Sequence, residues 1–263
     1  MLNNITPVVL TYNEEANVGR CLERLTWARE VVVVDSFSTD STLSIASIYA
    51  NVRVVQRAFD DHSSQWNFAV KNTFIGTSWI LALDADYILS QEFIDEVGSL
   101  EPGAGVNGFK TRFIYCINGK KLRASLYPPS CILFRNDSAV YVQNGHTQKI
   151  KVEGNIGGLA FPVFHDDRKS LGRWIDSQKK YAECEAAYIA ATPFNRLNMN
   201  DRIRALRIAA PFCVFLYCLF IRGLILDGKA GMTYSLQRAF AEILLSLYLF
   251  DGEQRDPREG ERS

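Results

Sequence analysis

Three apolar runs in the first third of the chain each close on acidic or amide side chains, and no other feature narrows the fold as much. They are ITPVVLTYNEE at residues 5–15, EVVVVDS at 30–36 and WILALDAD at 79–86. Short runs that are apolar on both faces mark strands covered on both sides. Stretches of helical character separate them. Val18, Leu22 and Leu25 recur at helical spacing, a second helix is expected from Ser38 or Asp40 to Ala50, and a third from about Ser64 to Ile75, with VRVVQR as a further strand. This alternation predicts an α/β fold: a mostly parallel sheet with helices on both faces. Ligands of such sheets sit beyond the carboxyl ends of the strands. Three polar ends would converge there: Thr11, Asn13 and Glu14; Asp35, Ser36 and Ser38; Asp84 and Asp86.

The devices by which many α/β proteins hold phosphate are absent. No GxGxxG follows the first strand and no GxxxxGK[ST] occurs, so neither a dinucleotide site nor a P-loop is supported. Lys plus Arg equals Asp plus Glu at 29 each, which provides no general basic field for nucleic acid. Asp84 and Asp86 sit two apart at the end of an apolar run and would repel each other unless something positive lay between them. A divalent cation, manganese or magnesium, resolves that repulsion and leaves open positions for diphosphate oxygens. The bland reading is a turn with Asx hydrogen bonds. The six cysteines show no CxxC or zinc spacing, as expected for reduced thiols in a cytosolic compartment. The first residues lack the pattern of a secretory signal.

TYNEE after the first strand, VVVVDSFSTDST after the second, QWNFAVKN before the fourth and LDAD after it together resemble the family 2 glycosyltransferases of the GT-A fold. The resemblance is to the bacterial branch that builds lipopolysaccharide core and other cell-surface glycans. It implies a GT-A, Rossmann-like sheet and inverting transfer of a hexose from a nucleotide-diphosphate sugar, UDP-glucose or similar, to a lipid-linked or lipopolysaccharide-type glycan. It places Thr11, Asn13, Glu14 and Asp35 around the nucleoside, with modest support for Gln65. Asp84 would lie near ribose and metal, Asp86 would bind the metal directly, and His165 in PVFHDD matches a position where such enzymes often place a metal-bound histidine. NGKKLR resembles the loop that covers the donor, so Lys120, Lys121 and Arg123 could meet phosphate. Ordinary roles compete: Asp35 as a helix cap, Glu14 as a first-turn acid on a helix dipole, Gln65 and Asn67 as helix-surface amides, and NGKK as a solvated hairpin tip.

The proton acceptor departs from the family pattern. Relatives usually carry VHE where this chain reads GHT, residues 145–147, so Thr147 stands where a glutamate would act as base. Four readings stay open: His146 titrates in the useful range; Asp166 or Asp167 takes the proton; the acceptor is an ionised phosphate; or transfer is crippled. Asp166 and His146 are the expected catalytic residues. A non-catalytic nucleotide-sugar-binding subunit and transfer to a polyprenyl phosphate are the alternatives.

The expected organisation is a catalytic domain at 1–168, with a donor half at 1–100 and an acceptor half of short strands at 101–168. C-terminal helices would follow at 169–250 and a disordered tail at 251–263. The first helix shows periodicity through Leu171, Trp174, Ile175, Gln178, Tyr181 and Ala182; the last carries a stripe of Leu236, Phe240, Ile243, Leu244 and Leu247. The uncharged run Ile208–Ile221 would be about 21 Å long as a helix, short of the roughly 30 Å of a bilayer core. Arg202, Arg204, Arg207, Arg222, Lys229 and Arg238 flank apolar positions, which favours a membrane-associating segment lying on an anionic surface. A helical hairpin buried against itself, or a homodimer through these helices, is the other reading. The expected location is peripheral, on the cytoplasmic face of a bacterial inner membrane.

Overall fold

The computed structural model describes residues 1–144 and 147–254. The chain divides into two compact units, Met1–Lys121 with Leu126–Lys169, and Leu122–Ser125 with the residues from Ser170 on.

The first unit opens with β1 (Ile5–Thr11), α1 (Val18–Glu23), β2 (Val31–Asp35), α2 (Thr42–Ala46), β3 (Val52–Gln56), α3 (His62–Lys71) and β4 (Trp79–Asp84). The helices are shorter than their periodicity suggested. Asp61 caps α3 by accepting from the Ser64 N–H, so the helix starts at His62, two residues ahead of the expected Ser64. After β4 come β5 (Tyr87–Ile88), α4 (Gln91–Ser99), β6 (Val106–Thr111), β7 (Phe113–Ile117), β8 (Lys120–Lys121), β9 (Ser130–Arg135), β10 (Ala139–Asn144), β11 (Thr147–Val152), β12 (Asn155–Gly158) and β13 (Val163–His165).

The main sheet has seven strands in the order β12-β6-β9-β4-β1-β2-β3. The β1, β2, β3 and β4 strands are mutually parallel where they pair, and β9 runs antiparallel to both β4 and β6, so the sheet is mixed. From β1 the chain moves outward to β2 and β3, then returns to lay β4 on the other side of β1. That reversal is the switch point at which such sheets open a crevice.

Residue parity decides which face each side chain covers. Odd positions Val9, Val33, Leu81 and Leu83 pack with Val18, Leu22 and Leu25 and with Phe93 and Val97 of α4. Even positions Val8, Val32, Val34, Ile80 and Ala82 pack with Trp66, Ala69 and Val70 of α3. Both faces are dry, which accounts for the continuous apolar runs. The β10–β11 hairpin joins the α3 side: Trp66 stacks on Tyr141, and Asn67 exchanges two hydrogen bonds with the Tyr141 backbone at 2.8 and 2.9 Å. Asn67 is therefore a clamp, not a surface amide. A separate four-stranded sheet, β5-β13-β7-β8, lies beyond the main one.

The second unit contains α5 (Leu171–Ala191), α6 (Met199–Ala205), α7 (Ala209–Leu216), a π-turn at Tyr217–Ile221, a 3-10 turn at Leu224–Asp227 and α8 (Lys229–Gln254). Its core joins Ala182, Ala186 and Ile189 of α5 to Leu245 and Leu249 of α8. Two expectations change. Leu171 and Tyr181 are exposed; of the α8 stripe, Leu236, Ile243 and Leu247 are exposed, whereas Leu244 packs against the core and Phe240 against Trp174, and Tyr234, Leu245 and Leu249 face in. In addition, α8 continues through Asp251 to Gln254, into the stretch expected as a disordered tail. Leu249, buried in the core, anchors the turn that precedes it. No helix among the described residues is long and apolar enough to cross a membrane.

Candidate active site

The ends of β1 and β2 are tied together by one buried carboxylate. Asp35 is fully buried and accepts from Thr11 Oγ1 at 2.9 Å, the Ser38 N–H at 2.9 Å, the Ser38 hydroxyl and Gln56 Nε2 at 3.2 Å. Thr11 and Asp35 are also paired in the strand register. Asn13 takes a left-handed conformation with φ 54°, donates its N–H to Ser38 Oγ at 2.8 Å and accepts from the Thr39 N–H at 2.7 Å. The loops after the two strands therefore support each other. Gln65, 1 % exposed, donates to Ser36 Oγ at 3.1 Å and accepts from Arg57.

Glu14 turns from this rim toward the segment after β13. Lys169 Nζ donates to Glu14 Oε1 at 2.7 Å and Asn17 Nδ2 to Oε2 at 2.9 Å. Asn17, fully buried, also donates to Asp167 and accepts from the Arg168 N–H. Burial pushes the Glu14 carboxyl up to about 7 against the pull of Lys169, and the Asp86 charge adds to the rise. Lys169 is held protonated: burial opposes its charge, but Glu14, Asp167 and Asp86 outweigh it. Sequence reasoning missed Asn17 and Lys169, because nothing local in the chain marks their meeting.

The two aspartates of LDAD are not equivalent. Asp84 closes β4 and is half-buried, whereas Asp86 lies in the following turn and is 9 % exposed. β5 pairs antiparallel with β13, setting His165 opposite Tyr87, and the Asp166 N–H bonds to the Asp86 carbonyl at 3.0 Å. This short ladder places His165 Nε2 3.0 Å from Asp86 Oδ2. The imidazole sits among the rings of Tyr87, Tyr115 and Tyr127, with centroids at 5.4, 4.6 and 5.0 Å. Burial pulls the His165 pKa down, yet the charges of Asp86 and Asp84 leave it raised. Burial pushes Asp86 up, but the charge and hydrogen bond of His165 leave it lowered. Asp84 is raised, by burial first and by the Asp86 charge second. Two carboxylates sharing one rim divide in this way when only one can readily stay ionised.

A divalent ion fits this pair. Asp86 Oδ1 is buried without a hydrogen-bond partner, and a carboxylate oxygen beside an imidazole is an acceptable donor set for manganese; His165 Nδ1 is also unpartnered but faces away from Asp86, whose Oδ2 meets Nε2. Among the described residues no cluster of three or more His, Cys, Asp or Glu could hold a metal. Further ligands would come from a bound diphosphate or water.

Other expected residues fall elsewhere. Asp166, 5 % exposed, receives Arg20, Arg168 on both oxygens and the Gly119 N–H at 3.0 Å. Burial pushes its carboxyl up, but the Arg168 and Gly119 hydrogen bonds and the Arg20 charge hold it below the usual range. A carboxylate so occupied is a poor proton acceptor, which counts against the expectation of a base. Lys120 lies on the exposed strand β8, and Lys121 rests its ammonium 3.8 Å from the centroid of the Phe164 ring. Arg123 belongs to the second unit, where its backbone N–H and its Nε both bond to Asp227 at 3.0 Å. His146 lies outside the described residues.

Known proteins resemble this chain in parts. The model of glycosyl transferase family 2 matches residues 7–148. An uncharacterized glycosyltransferase of Rickettsia bellii is 37% identical over 98 residues, which is 37% of this chain and 32% of that protein. The lipopolysaccharide core biosynthesis glycosyltransferase LpsC of Rhizobium meliloti is 30% identical over 86 residues, 31% of each chain. The matched stretch thus spans about a third of the length of these relatives. Among solved structures, S. aureus TarS in complex with UDP-GlcNAc aligns with 95% of this chain and 91% of its own, at 16% identity and a TM-score of 0.44. Glucosyl-3-phosphoglycerate synthase from Mycobacterium tuberculosis, with Mn2+, UDP and phosphoglyceric acid, aligns with 43% of each chain at 23% identity and a TM-score of 0.36. The family model covers more than half of the 263 residues, all within the part that carries the strand ends described above, and the chain belongs to glycosyl transferase family 2.

Proposed function

We propose that the protein transfers a hexose, with inversion, from a nucleotide-diphosphate sugar to a glycan acceptor of the lipopolysaccharide or lipid-linked type. The reading is carried by one observation: an unpartnered Asp86 oxygen next to His165, beside the switch point of the mixed sheet. Family membership supports the reaction class, and the name of the Rhizobium relative supports the acceptor class. UDP-glucose or a similar donor follows from the resemblance.

In this reading the rim formed by Thr11, Asn13, Asp35 and Gln65 receives the nucleoside, and Asp84 lies beside the ribose. Asp86 and His165, with Asp84 near them, would hold manganese or magnesium. A bound ion supplies positive charge to the departing diphosphate. The chain's own residues orient and shield: Tyr87, Tyr115 and Tyr127 fix the imidazole, and Asp166, through Gly119, ties the β7–β8 hairpin to the segment bearing His165. Thr147 cannot take a proton near neutrality, Asp166 is engaged by two arginines and Asp167 by Asn17 and Lys169, so the proposed base is His146. A polyprenyl phosphate acceptor, already ionised, is the second reading, favoured by Thr147 in place of an acid.

Calorimetry with UDP, with and without manganese, tests the proposal. Uptake should require the ion and weaken about 100-fold or more in D86A and H165A, at or above what loss of a supporting residue costs a metal site. Metal-independent binding, or none, rejects it.

A further inference from the structure

The second unit carries a surface for which the donor chemistry has no use. Between Arg202 and Ala241 the chain has six basic residues and one acid, Asp227. That acid is 7 % exposed and held by the Arg123 backbone N–H and guanidinium. The charge that the segment turns outward is therefore only positive. Arg222 and Lys229 are exposed at either end of the reversal between α7 and α8. Between them stand Ile225 and Leu226, 49 % and 70 % exposed, and just before them Phe220 and Ile221, 57 % and 75 % exposed. Farther back along α7, Phe212 and Leu216 are also exposed. Leu224, by contrast, is fully buried and pins the turn to the unit. Gly223 and Gly228, with φ 68° and 62°, permit the tight reversal.

We infer that this turn is a wedge for an anionic lipid surface: Phe220, Ile221, Ile225 and Leu226 enter the headgroup boundary, and Arg222 and Lys229 meet lipid phosphates beside them. Large apolar side chains bracketed by exposed bases, with the one local acid turned inward, match the charge and polarity of such an interface. Arg123 serves this surface by neutralising Asp227. The inference deepens the acceptor part of the proposed function and rests on it only for the lipid nature of the acceptor; the docking stands on the second unit alone.

Flotation of the full chain with vesicles tests it, using phosphatidylcholine alone against phosphatidylcholine mixed with phosphatidylglycerol. The wild type should float with the anionic vesicles only, and salt should release it. R222Q/K229Q should bind about 25-fold more weakly, about fivefold for each base. I225E/L226E should remain in the soluble fraction, with near-ultraviolet circular dichroism and UDP-sugar hydrolysis unchanged, because neither side chain belongs to a core. Binding needs no donor, so a chain that floats without taking up UDP overturns the donor reading and leaves the wedge standing. Equal flotation with both vesicle types overturns the wedge, as does a wild type that never floats. So does a dimer that I225E/L226E dissolves, since a second copy would then cover the face.

Discussion

Replacing Lys169 with methionine would isolate a buried acid and report how the first unit closes around it. Lys169 Nζ lies 2.7 Å from Glu14 Oε1, and the two side chains are 21% and 13% exposed. Removing one partner of a buried pair costs about 3–5 kcal/mol. Glu14 can escape by taking a proton, and that sets a ceiling of about 1.4 kcal/mol for each pH unit above its ordinary value. Starting from 4.5, the ceiling is about 4 kcal/mol at about pH 7.5 and about 2 kcal/mol at about pH 6. The sign follows from the direction of the shift. The Glu14 pKa is raised to about 7, so the folded chain holds this proton more tightly than the unfolded one. Its contribution is fully present below the unfolded value and is lost as the pH climbs through the folded one. K169M, which removes the pull that lowers this pKa, should therefore be most harmful at high pH. Urea unfolding followed by tryptophan fluorescence reads the effect, since Trp66 and Trp79 are buried in the first unit. The double variant E14Q/K169M should recover about half of the loss, because no charge is stranded. A penalty below about 1 kcal/mol at high pH, a penalty independent of pH, or no recovery in the double variant would refute the bracing role.

Three further outcomes follow from the same geometry. D35A should destabilise the first unit by about 3 kcal/mol in thermal melts, since Thr11, Ser38 and Gln56 lose a shared buried acceptor, and D35N by less. D166A should cost about 2–3 kcal/mol by releasing Arg20 and Arg168, while D166N keeps the pH profile of sugar transfer; loss of the acidic limb in D166N would return the base role to Asp166. G119A should cost about 1–2 kcal/mol in urea, because its φ is 81° and an added Cβ would meet the Arg168 guanidinium that Asp166 holds in place.

What could be read from the chain divides along local and distant determinants. The apolar runs gave β1, β2 and β4, because strands buried on both faces leave a continuous signal, and their acidic ends lie at the switch point. Residue spacing alone did not reveal that Asp86 leaves the strand for a turn, where β13 brings His165 to it from 79 residues away. Arg20 of α1 and Gly119 of the β7–β8 turn join the neighbouring Arg168 on Asp166, so a residue that reads as an available base next to a histidine is instead held as a brace. Arg123 misled for the same reason: its partner, Asp227, lies 104 residues along the chain. The α8 stripe was found, but its spacing did not say which of its residues face out and which pack inward. An amphipathic pattern has no sign when both of its faces contain leucine.

The even-and-odd division of the central strands also governs which changes in length this protein can survive. One residue inserted inside Ile5–Thr11 or Val31–Asp35 would exchange the side chains meant for α3 with those meant for α1 and α4, and would slide Thr11 away from Asp35. Growth and shrinkage must therefore be absorbed in the connections. Homologous chains can diverge in the excursions that follow β5 and β8 while the tips of the parallel strands remain locked to one numerical frame.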